Sequence, residues 1–164
     1  MSNHSPTIPV RLTPVECELA AGVGLRRAMT SWTRGDKDNH GYKGDPFRPH
    51  ILGSIAEYCV AKGLRHHWPL SVDTFTREAD VAANIEVRWS ATGSLIIRPQ
   101  DVERHPDWPY VLVTGTGLNY LIHGWLTPVE AQVVGAWRSP NNRPGAWFVD
   151  TPRLHPPTTL RCKV

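Results

Sequence analysis

Cysteine is scarce and carries no pattern. The 164-residue chain holds three, Cys17, Cys59 and Cys162, an odd number without a Cys-x-x-Cys spacing, so no disulfide framework is signalled and a reducing cytoplasm is the expected compartment. Long apolar runs are also lacking. No stretch approaches the roughly 18 to 20 residues needed to cross a bilayer, and no charged start followed by an apolar run marks a signal peptide, so a soluble protein is expected. Internal repeats and low-complexity tracts are absent. Charge of one sign is not in large excess: 18 Lys and Arg stand against 15 Asp and Glu, net +3, which permits a nucleic-acid partner without demanding one.

What the chain does hold is an ordinary globular balance, 40% hydrophobic and 20% charged, so extensive disorder is not expected. Its 15 prolines, 13 glycines and 7 tryptophans predict short elements joined by stiff turns. The length suits one domain with a real core. Expected boundaries are a flexible leader over 1–11, a single domain over 12–154 and a C-terminal tail over 155–164.

In "LTPVECELAAGVGLRRAMTSW", Thr13 and Glu16 have the spacing of a capping box, with Pro14 at the first helical position. A helix is predicted from about Pro14 to Trp32, weakened in its middle by Gly22 and Gly24. "TRGDKDNHGYKGDPFRPH" has neither helical nor strand period and reads as a long exposed loop. A second helix is predicted over His50 to Leu64, with apolar residues at 51, 52, 55, 56, 59 and 60. Within it, Glu57 has only Gly53, Ser54, Val60 and Ala61 at helical spacing, so its carboxylate should face something other than open water. The period then changes to that of strands in "IEVRW", "SLIIRP", "YVLVT", "YLIHGW" and "AWFVD", with a short helix in "PVEAQVVGAW". Helices first and strands after predict an α+β fold with an α/β core, a mixed central sheet flanked by helices.

The candidate chemistry lies in "DVAANIEVRWS". Ile85, Val87 and Trp89 should share one face of a strand, with Glu86 and Arg88 on the other, roughly 7 Å apart. Asp80 at a preceding turn would give two carboxylates able to hold a hard divalent ion such as Mg²⁺ or Mn²⁺, with Glu57 as a third. Such an ion activates water and neutralises charge on a phosphate, while Arg88 orients the water or steadies the transition state. Taken by itself, Asp-x5-Glu-x-Arg is a common pattern. An amphipathic strand with a Glu and an Arg on its wet face is ordinary.

The ordered series "GSIAEYCVAKGL", "SVDTF", "DVAANIEVRW", "LIIRPQD", "YVLVTG" and "IHGW" resembles the PD-(D/E)XK nuclease superfamily. It is most similar to small phage and bacterial members with an E-V-R variant of the core motif. The resemblance covers about Leu12 to Leu154. It implies a restriction-endonuclease-like core and a Mg²⁺-dependent deoxyribonuclease, with Asp80 and Glu86 as metal ligands and Glu57 as the helical acid. Arg88 falls where the usual lysine stands, and a guanidinium is always protonated, so it cannot serve as a base. A second reading follows from this departure: a catalytically inactive member of phage or mobile-element origin that binds DNA or inhibits a host defence system. DNA is the implied partner; a homodimer is allowed, and the second reading allows a protein partner.

Four basic residues of the long loop and its flanks, Arg34, Lys37, Lys43 and Arg48, are interleaved with Tyr42 and Phe47 and are candidates to grip nucleic-acid phosphates. A solvated loop diluted by Asp36, Asp38 and Asp45 is the plain alternative. His66 and His67 adjoin Trp68 and point apart on an extended chain; with His40 and His50 they lack the spacing of a zinc site. Cys59 lies on an apolar helix face and reads as packing. Trp125, Trp137 and Trp147 read as core, and Gly124 in "HGW" as a bulge or close approach.

Overall fold

A computed structural model describes residues 6–36, 44–72 and 78–161. The first helix, α1, spans Pro14–Arg34. The backbone N–H of Thr13 donates to the Glu16 carboxylate at 2.8 Å and the N–H of Glu16 to the Thr13 hydroxyl at 3.2 Å, an N-terminal cap of about 1 kcal/mol. Gly35 ends the helix in the left-handed region, φ 71°. Helix α2 spans Phe47–Leu64, starting three residues before the first position its apolar spacing indicated. The two helices meet at Gly24, where a Cβ would lie 2.5 Å from the His50 carbonyl oxygen and 2.6 Å from the Ile51 Cα. Here the glycine is a packing requirement, because any side chain would push the helices apart.

Among the described residues there are seven strands, five of which follow the predicted periods and two of which those periods missed. Strands β1 (Ile8–Arg11), β2 (Glu86–Trp89), β4 (Tyr110–Thr116) and β5 (Asn119–Leu126) form one sheet in the order β1-β5-β4-β2; β3 (Ser94–Ile97), β6 (Ala136–Arg138) and β7 (Ala146–Asp150) form another, β3-β7-β6. Strands β2 and β4 run parallel, and the other pairs antiparallel. Helices α3 (Pro99–Arg104) and α4 (Pro128–Val134) are short. The class is therefore α+β, but the single central sheet expected from the strand run is two sheets.

Each face of the first sheet has its own core. Val87, Val111, Val113 and Ile122 pack with Ile55, Ala56, Cys59 and Val60 of α2. On the other face Tyr110, Leu112 and Leu126 pack with Leu95, Ile97 and Val149 of the second sheet. Strand β4 is thus covered on both sides, which explains its unbroken apolar run, "YVLV", in place of alternation.

Both expected chain ends are shorter than the sequence suggested. Ile8–Arg11 is an ordered strand paired with β5, so a leader over 1–11 is corrected; Val10 inserts into the core. The supposed tail is anchored too, since His155 bridges to Trp125 and Leu160 packs against the helical core. Cys59 is buried, and burial pushes its thiol up to about 12, consistent with inert packing. Trp125 and Trp147 pack against the cores. Trp137 does not: it is 55% exposed on the short edge strand β6. Gly124 is both bulge and close approach, with a register shift opposite it, φ of 151° and the His155 carbonyl 2.3 Å from where its Cβ would stand. No helix among the described residues is long and apolar enough to cross a membrane.

Candidate functional site

Helix α2 brings Glu57 inward, 5% exposed. A carboxylate there needs a cation, and α1 supplies one: the Arg27 Nη1 and Nη2 donate to Glu57 Oε1 and Oε2 at 2.5 and 2.8 Å. The Trp68 indole N–H adds a bond to Oε2 at 3.1 Å. Arg27 Nε donates to the Ser71 carbonyl at 2.7 Å, tying the segment after α2 to α1. Burial and the nearby Asp80 charge raise the Glu57 carboxyl to about 7, against the pull of Arg27. Both Glu57 oxygens are engaged by the guanidinium, so Glu57, expected as the helical acid of a metal site, stands here as the counter-ion of Arg27.

Asp80 stands just before the bridge between Val81 and Ile85. Its Oδ2 accepts from the backbone N–H of Val87 at 2.8 Å, because β2 is an edge strand and that N–H points away from β4. On β2 the alternation holds: Ile85 and Val87 are core, while Glu86 and Arg88 share the other side, Nη1 to Oε2 at 3.5 Å. Arg88 Nη2 also meets Asp101 of α3 at 3.0 Å, and its guanidinium lies 4.8 Å from the centre of the Tyr110 ring. The Arg88 Nε–H is buried without an acceptor among the described residues. Asp101 is held in turn by the Arg98 backbone N–H at 2.8 Å.

Asp80 is raised to about 7, first by burial and then by the charge of Glu86, with Arg88 pulling the other way. Glu86 is raised as well, by burial and by Asp101 and Glu57. The three candidate carboxylates are therefore close enough to disfavour one another's ionisation. Among the described residues, no group of three His, Cys, Asp or Glu side chains is arranged to hold a metal ion. What remains is the pair Asp80 and Glu86.

A cavity of about 600 Å³ opens beside this cluster. Arg27, Arg48, Arg88 and Arg98 line it together with Glu57 and Asp80. Glu86 is outside that lining and acts on the cavity through Asp80 and Arg88. Of the four basic residues expected to bind nucleic acid, Arg48 lines the cavity, Arg34 is exposed at the end of α1, and Lys37 and Lys43 lie outside the described residues, as does His40. His50 lines the cavity, and burial with the nearby Arg27 lowers its pKa; His66 is half-buried and His67 exposed, and neither lines the cavity. The sequence reading missed Arg27 and Asp101 as site residues. Asp101 had a signal, the Arg-Pro-x-Asp spacing of a helix start; Arg27 had none beyond its place on the first helix.

Comparison of the chain with known protein families, with curated proteins and with solved structures finds no match.

Proposed function

We propose that the chain is a metal-dependent nuclease that hydrolyses DNA phosphodiesters on a restriction-endonuclease-like core of the PD-(D/E)XK type. One observation carries the reading: Asp80 lines an arginine-rich cavity, and Glu86 beside it is close enough to raise its pKa, both carboxylates being buried among acidic neighbours. Such a pair is completed by a cation. Mg²⁺ suits it, since this ion binds through one or two carboxylates and keeps waters or substrate oxygens for its other positions. The donor set fits, because the free valences of Asp80 and Glu86 are oxygens and Glu57 is already satisfied by Arg27. When bound, the ion would supply an activated water and charge neutralisation at the phosphorus.

The chain's own groups do the rest. Arg88, anchored by Glu86 and Asp101, presents a fixed cation at the cavity wall to a phosphate oxygen. It does not take the proton of the attacking water, since acidic neighbours push its pKa still higher. Arg48 and Arg98 add charge at the cavity wall. The purified protein should nick or cut DNA with Mg²⁺ or Mn²⁺, and Glu86→Gln should abolish this while leaving the melting temperature in place; equal cleavage by the variant would remove Glu86 from the reaction.

A second reading is a protein of the same fold that binds nucleic acid, or a protein of a host defence system, without cutting. The permanent cation at 88 and the neutralised Glu57 favour it. A silent calorimetric titration with Mg²⁺ and Mn²⁺, together with no cleavage of any DNA form, would decide for it.

A further inference from the structure

We infer that the cavity takes a single unpaired nucleotide of a DNA strand, so that the substrate is single-stranded DNA or a frayed end and not a continuous duplex. The inference rests on the reading of the cavity as a phosphodiester site and adds the form of the substrate.

Three features lead to it. The charged groups of the lining are recessed: the side chains of Glu57, Arg27 and Arg88 are only 6%, 11% and 26% exposed. A base-paired duplex keeps its bases paired and stacked inside a stiff rod, with a persistence length of about 50 nm, and cannot place a whole nucleotide in such a hole without flipping it out of the stack. A single strand bends sharply at each phosphate and can. The size also fits, since about 600 Å³ lies in the range of roughly 300 to 1,000 Å³ that encloses small organic ligands.

The lining is divided as a nucleotide is. Arg27, Arg48, Arg88 and Arg98 provide the cationic part. Pro49, Leu52, Trp89 and Ala91 provide an apolar part, on which a base can rest once it leaves its neighbours' stack. Trp89 is held in place, its indole N–H bonded to the Gly115 carbonyl at 3.0 Å. The helix face between them is cleared by Gly53. It lines the cavity, and a Cβ there would meet nothing within 4 Å, so at this point the helix opens onto free space and a larger side chain would project into the cavity. His50 and Glu57 stand three residues before it and four after, on the same face of α2.

The test is binding, measured by fluorescence anisotropy in metal-free buffer. The probes are an oligo-dT of about 16 nucleotides and a dumbbell duplex closed at both ends by hairpin loops too short to expose unpaired bases. The single strand should bind at least about tenfold more tightly. Gly53→Leu, which fills the cavity and improves helix propensity, should weaken single-strand binding by about tenfold and leave the melting temperature unchanged. Equal or tighter binding of the dumbbell, unchanged binding by Gly53→Leu, or no binding of either probe would each overturn the inference. The two readings fail separately. Selective single-strand binding without cleavage in Mg²⁺ or Mn²⁺ would remove the nuclease and leave this inference standing, whereas efficient cutting inside the dumbbell stem would do the reverse.

Discussion

Two arginine-carboxylate arrangements border one cavity in this fold and differ in their balance. Between α1 and α2, Arg27 and Glu57 match one to one, with two parallel bonds and an indole to finish the carboxylate. At the edge of the first sheet, Arg88 serves Glu86 and Asp101 while Asp80 adds a further acid. The first is closed and holds two helices together. The second has a surplus of negative charge in a recessed place, which costs stability unless something else supplies the missing cation. An ion pair that balances is a structural part, and a cluster that does not balance is a place where a ligand is expected.

The contrast can be broken most sharply at the closed pair. Arg27→Ala leaves Glu57 buried beside Asp80 without its cation, and should cost about 3 to 5 kcal/mol in chemical denaturation; a loss under about 1 kcal/mol would show that the pair is not the tie between the helices. At the open cluster the large effect should be on rate. Glu86→Gln should lower Mg²⁺-dependent cleavage by about a hundredfold or more with little change in melting temperature. Arg88→Lys sharpens the comparison, because one ammonium cannot reproduce a fork that reaches two acids; a loss of about 1.5 to 3 kcal/mol is expected.

A smaller effect should follow pH. Burial and Glu86 raise Asp80 from about 4 to about 7, so the folded state prefers this group protonated and loses stability as pH climbs through that window. Asp80→Asn keeps an oxygen for the Val87 N–H and should therefore raise the melting temperature at pH 8 but not at pH 4. Mn²⁺ should stabilise the native protein at pH 8 and not the variant. Equal melting shifts at both pH values would show that Asp80 ionises without penalty. Smallest of all, Arg48→Ala should weaken oligo-dT binding a few-fold and lower the salt slope by about one.

Much of this architecture was legible because local signals agreed with the tertiary outcome. Thr13 and Glu16 fixed the start of α1 by spacing alone, and "IEVRW" announced which side chains would leave the helical core, although Glu86 and Arg88 are recessed in an ion cluster and not on a wet face. Glu57 announced its burial through small and apolar neighbours at helical spacing. Its partner could not be read, since Arg27 reaches it only because Gly24 lets the helices touch. The four residues of β1 looked like leader because a short edge strand with a proline has no period to show. The division into two sheets was hidden for another reason: strand periods give faces, whereas the choice of partner depends on the connections through α3 and α4. Trp137 misled because an aromatic beside apolar residues reads as core, yet an edge strand leaves one side uncovered.

The hydrogen bond from the Val87 N–H to Asp80 has a consequence outside chemistry. Among the described residues strand β2 has β4 on one side only, and an uncovered edge offers bare backbone donors to an extended chain. Asp80 occupies one of those donors with its carboxyl group, the kind of inward acidic side chain that blunts a strand edge against pairing with another chain. Losing the carboxylate altogether, as in Asp80→Ala, would put solubility at risk together with activity, and the first would have to be measured before the second could be interpreted.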